Sequence, residues 1–269
     1  MTKSIKKSKV QKWGLISDLH CGSSTGLGFP FDNPVRVQLD DRWKTAVKWL
    51  GPVDVLLVNG DEIDGEDRKG RDVVTDDCEK QADEAANYIA MIKPKKEIII
   101  ISGTPYHTEK AGQAFRKVLA HKLHLLLGEK IKITFKRKLK TTINGWFRLE
   151  ARHKIGSSTV PHGRHTAPNR SKTWNTINAC LSSGYSGKAA KWPHLCVFGH
   201  VHYYTFSKDA FGAVCTLPCW QAIGSRFGDE QCDGHVDLGM ARLTVKGVNE
   251  WQLDEILFPA GVVDRWENR

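Results

Sequence analysis

Two histidines one residue apart, His200 and His202, follow a short apolar run that ends in Gly199. In an extended backbone, residues i and i+2 point to the same face, so both imidazoles can aim at one point where a buried strand ends. Two converging imidazoles are a favourable start on a transition-metal site. Taken alone, the same stretch also fits a pair of surface histidines in a turn. Other stretches of the chain are needed to distinguish the two interpretations.

Three more apolar runs are followed by side chains that can bind metal ions. Asp18 and His20 follow the first run, Asp61 follows the second, and His107 lies a few residues after the third. Because sites in open α/β sheets lie beyond the carboxyl ends of the strands, these groups are predicted to share one site with the two later histidines. The alternatives are turn or capping roles for the aspartates and an ordinary loop position for His107.

This mixture of carboxylates and imidazoles suits zinc, manganese, iron or nickel better than calcium or magnesium. A carboxylate has two oxygens and can bridge two ions. Two-metal sites clamp the attacking and leaving oxygens of an in-line displacement, which is the chemistry of phosphoester hydrolysis.

The ordered set of motifs resembles the calcineurin-like metallophosphoesterase family over residues 18–202. The motifs that carry the resemblance are Asp18-Leu19-His20, Gly60-Asp61, Gly103 to His107, His153, and Gly199-His200-Val201-His202. The resemblance implies an α/β fold, a four-layer α/β/β/α sandwich of two mixed β-sheets flanked by helices. It also implies an enzyme that hydrolyses phosphate esters with a metal-bound water or hydroxide at a dinuclear site.

The resemblance further implies a role for each residue. The first metal would be held by Asp18, His20, Asp61 and His202. Asp61 would bridge to a second metal that His153 and His200 help to hold. His107 would act near the leaving group as general acid or transition-state stabiliser. Two divalent ions are implied, and we expect manganese, with iron, zinc or nickel as alternatives.

One motif departs from the family pattern. Where the family has Gly-Asn-His, this chain has Gly103 and Thr104, and the histidine follows two residues later than in the family pattern. Either Thr104 or a water would take the place of the amide ligand, so the second metal is expected to be held more weakly. His153 competes for its role with His162 and His165 in the next loop. Asp64 fits a hydrogen-bonding partner of the ligands or a solvated loop acid.

Substrate contacts are expected from the loop 156–170, which carries Arg164, His165 and Arg170. The formal charge of +10 and pI of 9.2 are concentrated in two clusters. These clusters are Lys3, Lys6, Lys7, Lys9 and Lys12, and then Lys130, Lys132, Lys136, Arg137, Lys138 and Lys140. They favour nucleic acid as partner and a phosphodiesterase or nuclease activity. The charge alone also fits solubility or a protected edge strand.

Two alternative functions are compatible with the sequence. One is a phosphomonoesterase acting on proteins or small molecules, since a basic surface also attracts those substrates. The other is a catalytically impaired, metal-containing nucleic-acid-binding module, suggested by Thr104.

Hydrophobic periodicity predicts a βαβαβα first half and a β-rich second half. Strands are predicted over 10–17, 53–58, 97–101, 131–140, 146–152, 195–198, 203–207, 213–217, 235–245 and 250–258. Helices are predicted over 35–50, 76–92, 109–127 and 171–181. Thr75 or Asp76 is expected to cap the second helix, and Asn144-Gly145 to form a hairpin turn. We expect a disordered basic arm over 1–9 and one domain over 10–269.

Composition sets the class of protein. The chain of 269 residues is 40% hydrophobic and 26% charged, as in ordinary globular proteins. No apolar run approaches the roughly 18 residues of a membrane span, and no secretory signal is evident. Seven scattered cysteines, an odd number, predict reduced thiols and a cytoplasmic location. Cys215 and Cys219 could bind zinc, but no second cysteine pair completes such a site.

Overall fold

The computed structural model describes residues 9–28, 34–66, 73–109, 112–186, 189–223 and 235–258. The strands are β1 (Gln11–Ile16), β2 (Val55–Val58), β3 (Glu97–Ile101), β4 (Lys132–Lys136), β5 (Leu139–Ile143), β6 (Phe147–Ala151), β7 (Leu195–Phe198), β8 (Thr205–Asp209), β9 (Gly212–Thr216), β10 (Leu238–Val245) and β11 (Trp251–Phe258). The helices are α1 (Pro34–Leu50), α2 (Cys78–Met91), α3 (Gly112–Leu127) and α4 (Thr166–Ser186). A π-helical turn (Pro105–Glu109) precedes α3, and a 3₁₀ turn (Pro161–His165) precedes α4.

The first sheet has six strands in the order β11-β10-β1-β2-β3-β4. Strands β1 to β4 are parallel, and β10 and β11 add to them in antiparallel fashion. β2 is apolar throughout and β3 nearly so, because both faces of these central strands are covered. Their carboxyl ends lie at one edge of the sheet, which is where the candidate ligands follow.

The second sheet has five strands in the order β5-β6-β7-β9-β8. Its central strands β6, β7 and β9 are parallel, and antiparallel β5 and β8 form its edges. Residues 144–146 join β5 to β6, and Asn144 and Gly145 have positive φ of 52° and 76°, as the central residues of a type I′ turn require. The predicted hairpin is therefore confirmed.

Alternate strand residues face a core between the two sheets. Trp13 and Leu15 of the first sheet are buried there with Phe147 and Leu149 of the second. The opposite face of the first sheet packs against α1, α2 and α3, where Trp43 is fully buried. α4 covers the outer face of the second sheet near β9. The predicted four-layer α/β/β/α sandwich is confirmed.

The prediction of one strand over 131–140 is wrong. This stretch forms two strands in different sheets, since β4 pairs with β3 in the first sheet and β5 pairs with β6 in the second. Arg137 and Lys138 connect them. Both strands obey the same alternation of apolar and polar residues, so the pattern alone does not show where the chain crosses from one sheet to the other.

Two predicted helix boundaries are also wrong. Asp77, rather than Thr75 or Asp76, caps α2, because its side chain accepts hydrogen bonds from the backbone N–H groups of Glu79 and Lys80 at 3.0 and 3.1 Å. α4 begins at Thr166 instead of residue 171. Pro168 falls in its first turn, where the missing N–H of proline has no helical partner to lose.

The cysteines of the described residues are free thiols, and Cys232 lies outside those residues. The Sγ of Cys219 donates a hydrogen bond to the Gln221 carbonyl at 3.2 Å, and neither it nor Cys215 enters a candidate metal cluster among the described residues.

No helix in the described ranges is long and apolar enough to cross a membrane. The predicted basic arm is outside the described residues apart from Lys9, and one domain over 10–269 stays a prediction.

Candidate metal centre

The candidate ligands follow the carboxyl ends of neighbouring strands in both sheets, and most of them have an unusual backbone. Positive φ angles occur at Asp18 (54°), His20 (47°), Asp61 (51°), His200 (73°) and His202 (56°). Only a few per cent of non-glycine residues adopt such angles, although Asp and His tolerate them better than most. The sharp turns point successive side chains back towards one place, and strained backbone of this kind concentrates at functional sites.

Asp18, His20 and His202 form the first candidate cluster, and all three are buried. The Nε2 atoms of His20 and His202 lie 3.2 Å apart. The Asp18 Oδ1 atom lies 3.4 Å from Nε2 of His202 and 3.8 Å from Nε2 of His20. The resemblance implies these three ligands and Asp61 for the first metal ion, and in the structure Asp61 belongs to the second cluster instead.

Asp61, His153 and His200 form the second candidate cluster. His153 Nε2 lies 2.9 Å from Asp61 Oδ2 and 3.8 Å from Asp18 Oδ1, so the second cluster adjoins the first. His153 and His200 have ring centroids 5.5 Å apart. The structure brings His153 into the cluster, whereas His162 and His165 belong to no candidate cluster of the described residues.

Hydrogen bonds to the far nitrogen of two histidines fix their orientation. His20 Nδ1 donates to Asp64 Oδ1 at 2.8 Å, and His153 Nδ1 donates to the Asn59 carbonyl at 2.5 Å. Each imidazole therefore presents Nε2 to the centre, an arrangement typical of metal-binding histidines. The structure thus selects, for Asp64, the hydrogen-bonding role rather than that of a solvated loop acid.

The surroundings of the Asp18 carboxylate test whether these residues suit a metal ion. Its Oδ2 accepts hydrogen bonds from the hydroxyl of Ser17 and, at 3.0 Å, from the backbone N–H of His200. Its Oδ1 is buried and accepts none, although three imidazole Nε2 atoms surround it at 3.4 to 3.8 Å. Ligand atoms about 2.1 Å from one shared cation lie about 3.0–3.5 Å apart. The donor set fits a divalent cation, and the distances of 3.2 Å between His20 and His202 and 3.4 Å between Asp18 and His202 fall within this range.

Opposing charges compensate for the burial of these groups. Burial raises the pKa of Asp18, but His153, His20 and His202 together hold that pKa well below its usual range. Burial lowers the pKa of His20, but its contacts with Asp18 and Asp64 raise that pKa to about 10. Burial also lowers the pKa of His153, which Asp61 and Asp18 raise to about 9. Without a metal ion, protonated imidazoles thus supply the positive charge that balances the carboxylates. A metal ion would have to displace these protons to bind.

His200 is different from His20 and His153. Burial, followed by the charge of His153, lowers its pKa to about 4. A neutral imidazole is the form that binds metal, so His200 needs no deprotonation at neutral pH.

Thr104 contacts a candidate ligand. Its backbone N–H donates to Asp61 Oδ1 at 2.7 Å, and its hydroxyl lies 3.3 Å from both oxygens of that carboxylate. The hydroxyl is therefore placed to donate to Asp61. Thr104 orients the carboxylate in this geometry.

His107 lies at the border of the centre and is half-buried. Its Nδ1 is 2.5 Å from the Asp64 carbonyl, and its ring packs edge-on against His20 with centroids 4.7 Å apart. His107 also forms a third possible metal-binding group with His20 and Asp64. The Asp64 carboxylate already accepts the Nδ1–H of His20. We therefore interpret Asp64 and His107 as residues that orient His20 rather than as ligands of a third metal ion.

The predicted substrate-binding residues lie on the turn before α4 and on α4 itself. The Arg164 guanidinium covers the ring of Tyr203 at 4.6 Å, and Tyr203 directly follows the candidate ligand His202. His165 and Arg170 are exposed. Arg164 is thus the one of the three with a ring contact to a sequence neighbour of a candidate ligand among the described residues.

Sequence reasoning missed three buried residues that shape the centre: Ser17, Asn59 and Glu62. The Ser17 hydroxyl, which donates to the Asp18 carboxylate, also lies 3.0 Å from the Asn59 carbonyl oxygen. Burial and the nearby Asp61 raise the pKa of Glu62 to about 8, so this side chain is mostly neutral at pH 7. Their only sequence signal is adjacency to the ligands at strand ends, which does not reveal where the side chains point.

Glycine at position 103 is required by the close approach of Asp61. A Cβ at Gly103 would lie 2.0 Å from Asp61 Oδ1 and 2.4 Å from its backbone nitrogen. We expect Gly103→Ala to displace the carboxylate, lower metal-dependent activity by about 100-fold or more and reduce the free energy of unfolding by about 1–3 kcal/mol. Phosphoesterase assays and urea titration measure the two effects.

Gly184→Ala is the matched control for this substitution. A Cβ at Gly184, in α4, meets nothing within 4 Å. Its activity should be unchanged and its stability equal or up to about 1 kcal/mol higher, since alanine favours a helix over glycine. Full activity in Gly103→Ala would show that the position of the Asp61 carboxylate is not critical.

Fold and site together define an α/β sandwich with two adjoining candidate metal clusters at the edge of its sheets. Solved structures resemble the chain at low identity. One described as an archaeal phosphodiesterase is 11% identical with a TM-score of 0.45, covering 92% of this chain and 100% of its own. Zinc-complexed Vps29 from Entamoeba histolytica is 12% identical with a TM-score of 0.46, covering 95% and 94%.

A third structure, a conserved uncharacterized protein and predicted phosphoesterase from Streptococcus pneumoniae, is 11% identical with a TM-score of 0.37, covering 93% and 99%. No protein-family model and no curated protein matches the sequence. Identities and TM-scores this low carry no argument about function.

Proposed function

We propose that this chain is a metal-dependent phosphoesterase of the calcineurin-like type. Asp18, His20 and His202 would hold one divalent ion, His153 and His200 would hold the second, and Asp61 would be shared. The observation that supports this most directly is the Asp18 Oδ1 atom, which is buried, accepts no hydrogen bond and has three imidazole Nε2 atoms around it. One of these imidazoles belongs to the second cluster, so the two ions would be neighbours.

The donor set narrows the choice of metal. Four imidazoles and two carboxylates favour manganese, iron, zinc or nickel over calcium and magnesium, and we propose manganese as the first ion to test. The second site would be the weaker, because Thr104 donates to Asp61 where the family's asparagine offers an oxygen. When bound, the ions would polarise the phosphoryl group and lower the pKa of a water.

Side chains near the candidate metal ligands would transfer the proton and orient the histidines. His107 would transfer a proton to the oxygen of the leaving group. Because its Nδ1–H donates to the Asp64 carbonyl, Nε2 is the nitrogen that carries or releases the catalytic proton. Asp64 would orient two histidines at once, through its carboxylate to His20 and through its carbonyl to His107.

We propose phosphodiesters, including nucleic acid, as the substrate class and the cytoplasm as the location, with Arg164, His165 and Arg170 contacting substrate. The support is the formal charge of +10, the free cysteines and the position of Arg164 over Tyr203. A monoesterase is the alternative, since the geometry of the clusters suits either ester. A metal-containing nucleic-acid-binding module without catalytic turnover is a further alternative, because Thr104 replaces a ligand of the second metal.

The double substitution Arg164→Gln/Arg170→Gln is expected to raise the KM for a polymeric phosphodiester by about tenfold or more, because charged hydrogen bonds to phosphate are lost. The kcat on a small chromogenic diester, measured on the same variant, should change little and is the internal control. An unchanged KM on the polymer would contradict the assignment of these residues.

The proposed function is tested by hydrolysis of a chromogenic phosphodiester and the corresponding monoester. Chelator-stripped protein should be inactive, and Mn²⁺ should restore cleavage of the diester. Cleavage of the monoester alone would replace the diesterase with a phosphatase. Cleavage of neither, by protein shown to hold metal, would replace the enzyme with the binding module.

A further inference from the structure

A basic groove lies on the outer face of the second sheet, away from the core between the sheets. Its cavity of about 730 Å³ is lined on one side by Lys138, Lys140 and Arg148, on another by residues of α4, and at one end by Lys191. None of these residues is a candidate metal ligand. A second cavity of about 350 Å³ shares Arg148 and Lys191 with the first and extends the groove.

The alternation of side chains along β5 explains why its lysine side chain faces outwards. Leu139 and Ile143 of β5 are buried in the core between the sheets, so Lys140, between them, points to the opposite face. Lys140 is 69% exposed and pairs in register with Glu150 of β6. Lys138 directly precedes β5 and contacts the same carboxylate, Glu150, as Lys140 does. The two lysines therefore place positive charge along the groove.

Among the described residues that line the larger cavity, Glu150 is the one carboxylate, and it is buried. Its oxygens lie 2.7 Å from Lys138 Nζ and 3.5 Å from Lys140 Nζ. Arg148 is held by a hydrogen bond from its Nε to the Trp192 carbonyl at 2.5 Å. Two lysines share one negative charge, and Arg148 and Lys191 add to the positive side, so the groove keeps an excess of about three positive charges that attracts a polyanion.

α4 adds neutral hydrogen-bonding groups and exposed aromatic rings to the groove. Asn178 and Ser182 line the cavity. Trp174 lies four residues before Asn178, and Tyr185 three residues after Ser182, so each ring adjoins a lining residue along the helix without lining the cavity itself. Trp174 is 58% exposed and Tyr185 is 92% exposed. Two exposed aromatic rings beside a basic groove provide stacking surfaces for bases.

We propose that this groove binds single-stranded nucleic acid, with phosphates along Lys138, Lys140, Arg148 and Lys191 and bases on Trp174 and Tyr185. Aromatic stacking favours a single strand, whose bases are accessible, over a duplex, whose bases are paired and stacked on one another. It also favours nucleic acid over an acidic peptide, which has no bases to stack. The proposal concerns binding and does not depend on hydrolysis at the metal centre.

The test is fluorescence anisotropy with a labelled phosphorothioate oligothymidylate of about 16 nucleotides, the upper end of the usual site sizes. This backbone resists cleavage, so binding is measured on the metal-loaded protein at several salt concentrations. Lys140→Gln/Lys191→Gln should raise Kd by about tenfold and reduce the slope of log K against log salt by about 1.4, since each lost phosphate contact removes about 0.7. Both lysines are exposed, and Lys138 remains to pair with buried Glu150.

Lys44→Gln/Lys48→Gln removes the same charge from exposed positions on α1, over the other sheet, and should leave Kd nearly unchanged. Trp174→Ala/Tyr185→Ala should raise Kd by at least about fivefold with the salt slope retained, because stacking and not charge is lost. Hydrolysis of a small chromogenic ester should be the same in all these variants, which separates this proposal from the proposed function.

Three results would overturn the proposal. The first is absence of oligonucleotide binding by the unaltered protein. The second is an equal loss of affinity in the α1 control, which would indicate attraction by net charge alone. The third is binding of polyglutamate as tight as that of the oligonucleotide, which would make the groove a site for acidic peptides.

Discussion

Asp61→Asn is expected to reduce the kcat for phosphate-ester hydrolysis by more than about 100-fold, which exceeds the usual cost of losing a group that only orients a metal ligand. Asp61 contacts His153 at 2.9 Å and receives the Thr104 backbone N–H at 2.7 Å. The asparagine side chain has the same shape and can still accept that hydrogen bond. The fold is therefore kept while the negative charge of the second cluster is lost, so the second ion should be the first to dissociate.

Metal analysis of the purified variant and a steady-state assay with added Mn²⁺ check this result together. The matched control is Asp41→Asn, in which an exposed carboxylate on α1 loses the same charge. That control should retain activity within about twofold, because exposed ion pairs contribute little. Full activity and full metal content in Asp61→Asn would exclude a bridging role for this carboxylate.

His107→Asn is expected to lower kcat by about 10²- to 10⁴-fold on an alkyl phosphate ester, the range for loss of a general acid. On a nitrophenyl ester the effect should be much smaller, because nitrophenolate leaves without a proton. Comparing the two esters isolates proton transfer from binding. His121→Asn, at an exposed position on α3, is the control and should behave like the unaltered protein on both esters.

The His107 variant also separates two interpretations of the structure. As a general acid outside the ligand set, His107 can be lost without loss of metal. If metal content falls instead, the group of His20, Asp64 and His107 is a metal site in its own right. An equal loss of kcat on both esters would indicate stabilisation of the transition state rather than proton donation.

Sequence patterns predicted the elements where local and global preferences agree. Apolar runs such as Val55–Val58 and Glu97–Ile101 are strands in the structure because burial on both faces permits little else at that length. The predictions failed where two arrangements share one pattern. Residues 131–140 alternate in the same way whether they form one strand or two strands in different sheets. Similarly, three capping residues in succession precede α2, and only hydrogen-bond geometry distinguishes Asp77.

For the candidate site, the sequence indicated which groups could meet, because Asp18, His20, Asp61, His200 and His202 all follow the carboxyl ends of predicted strands. How they meet depends on the packing of the two sheets. In the described part of the chain they form two adjoining candidate clusters, one of which includes His153, whereas His162 and His165 belong to none.

The tertiary structure also assigned the partners that aim the imidazoles. Asp64 orients His20, and the Asn59 carbonyl orients His153 across 94 residues of sequence. The physical reason is that a strand's register and alternation are local properties that a sequence displays. A hydrogen bond or a shared cavity between distant segments depends on the packing of two sheets, which becomes defined only when the whole core has formed.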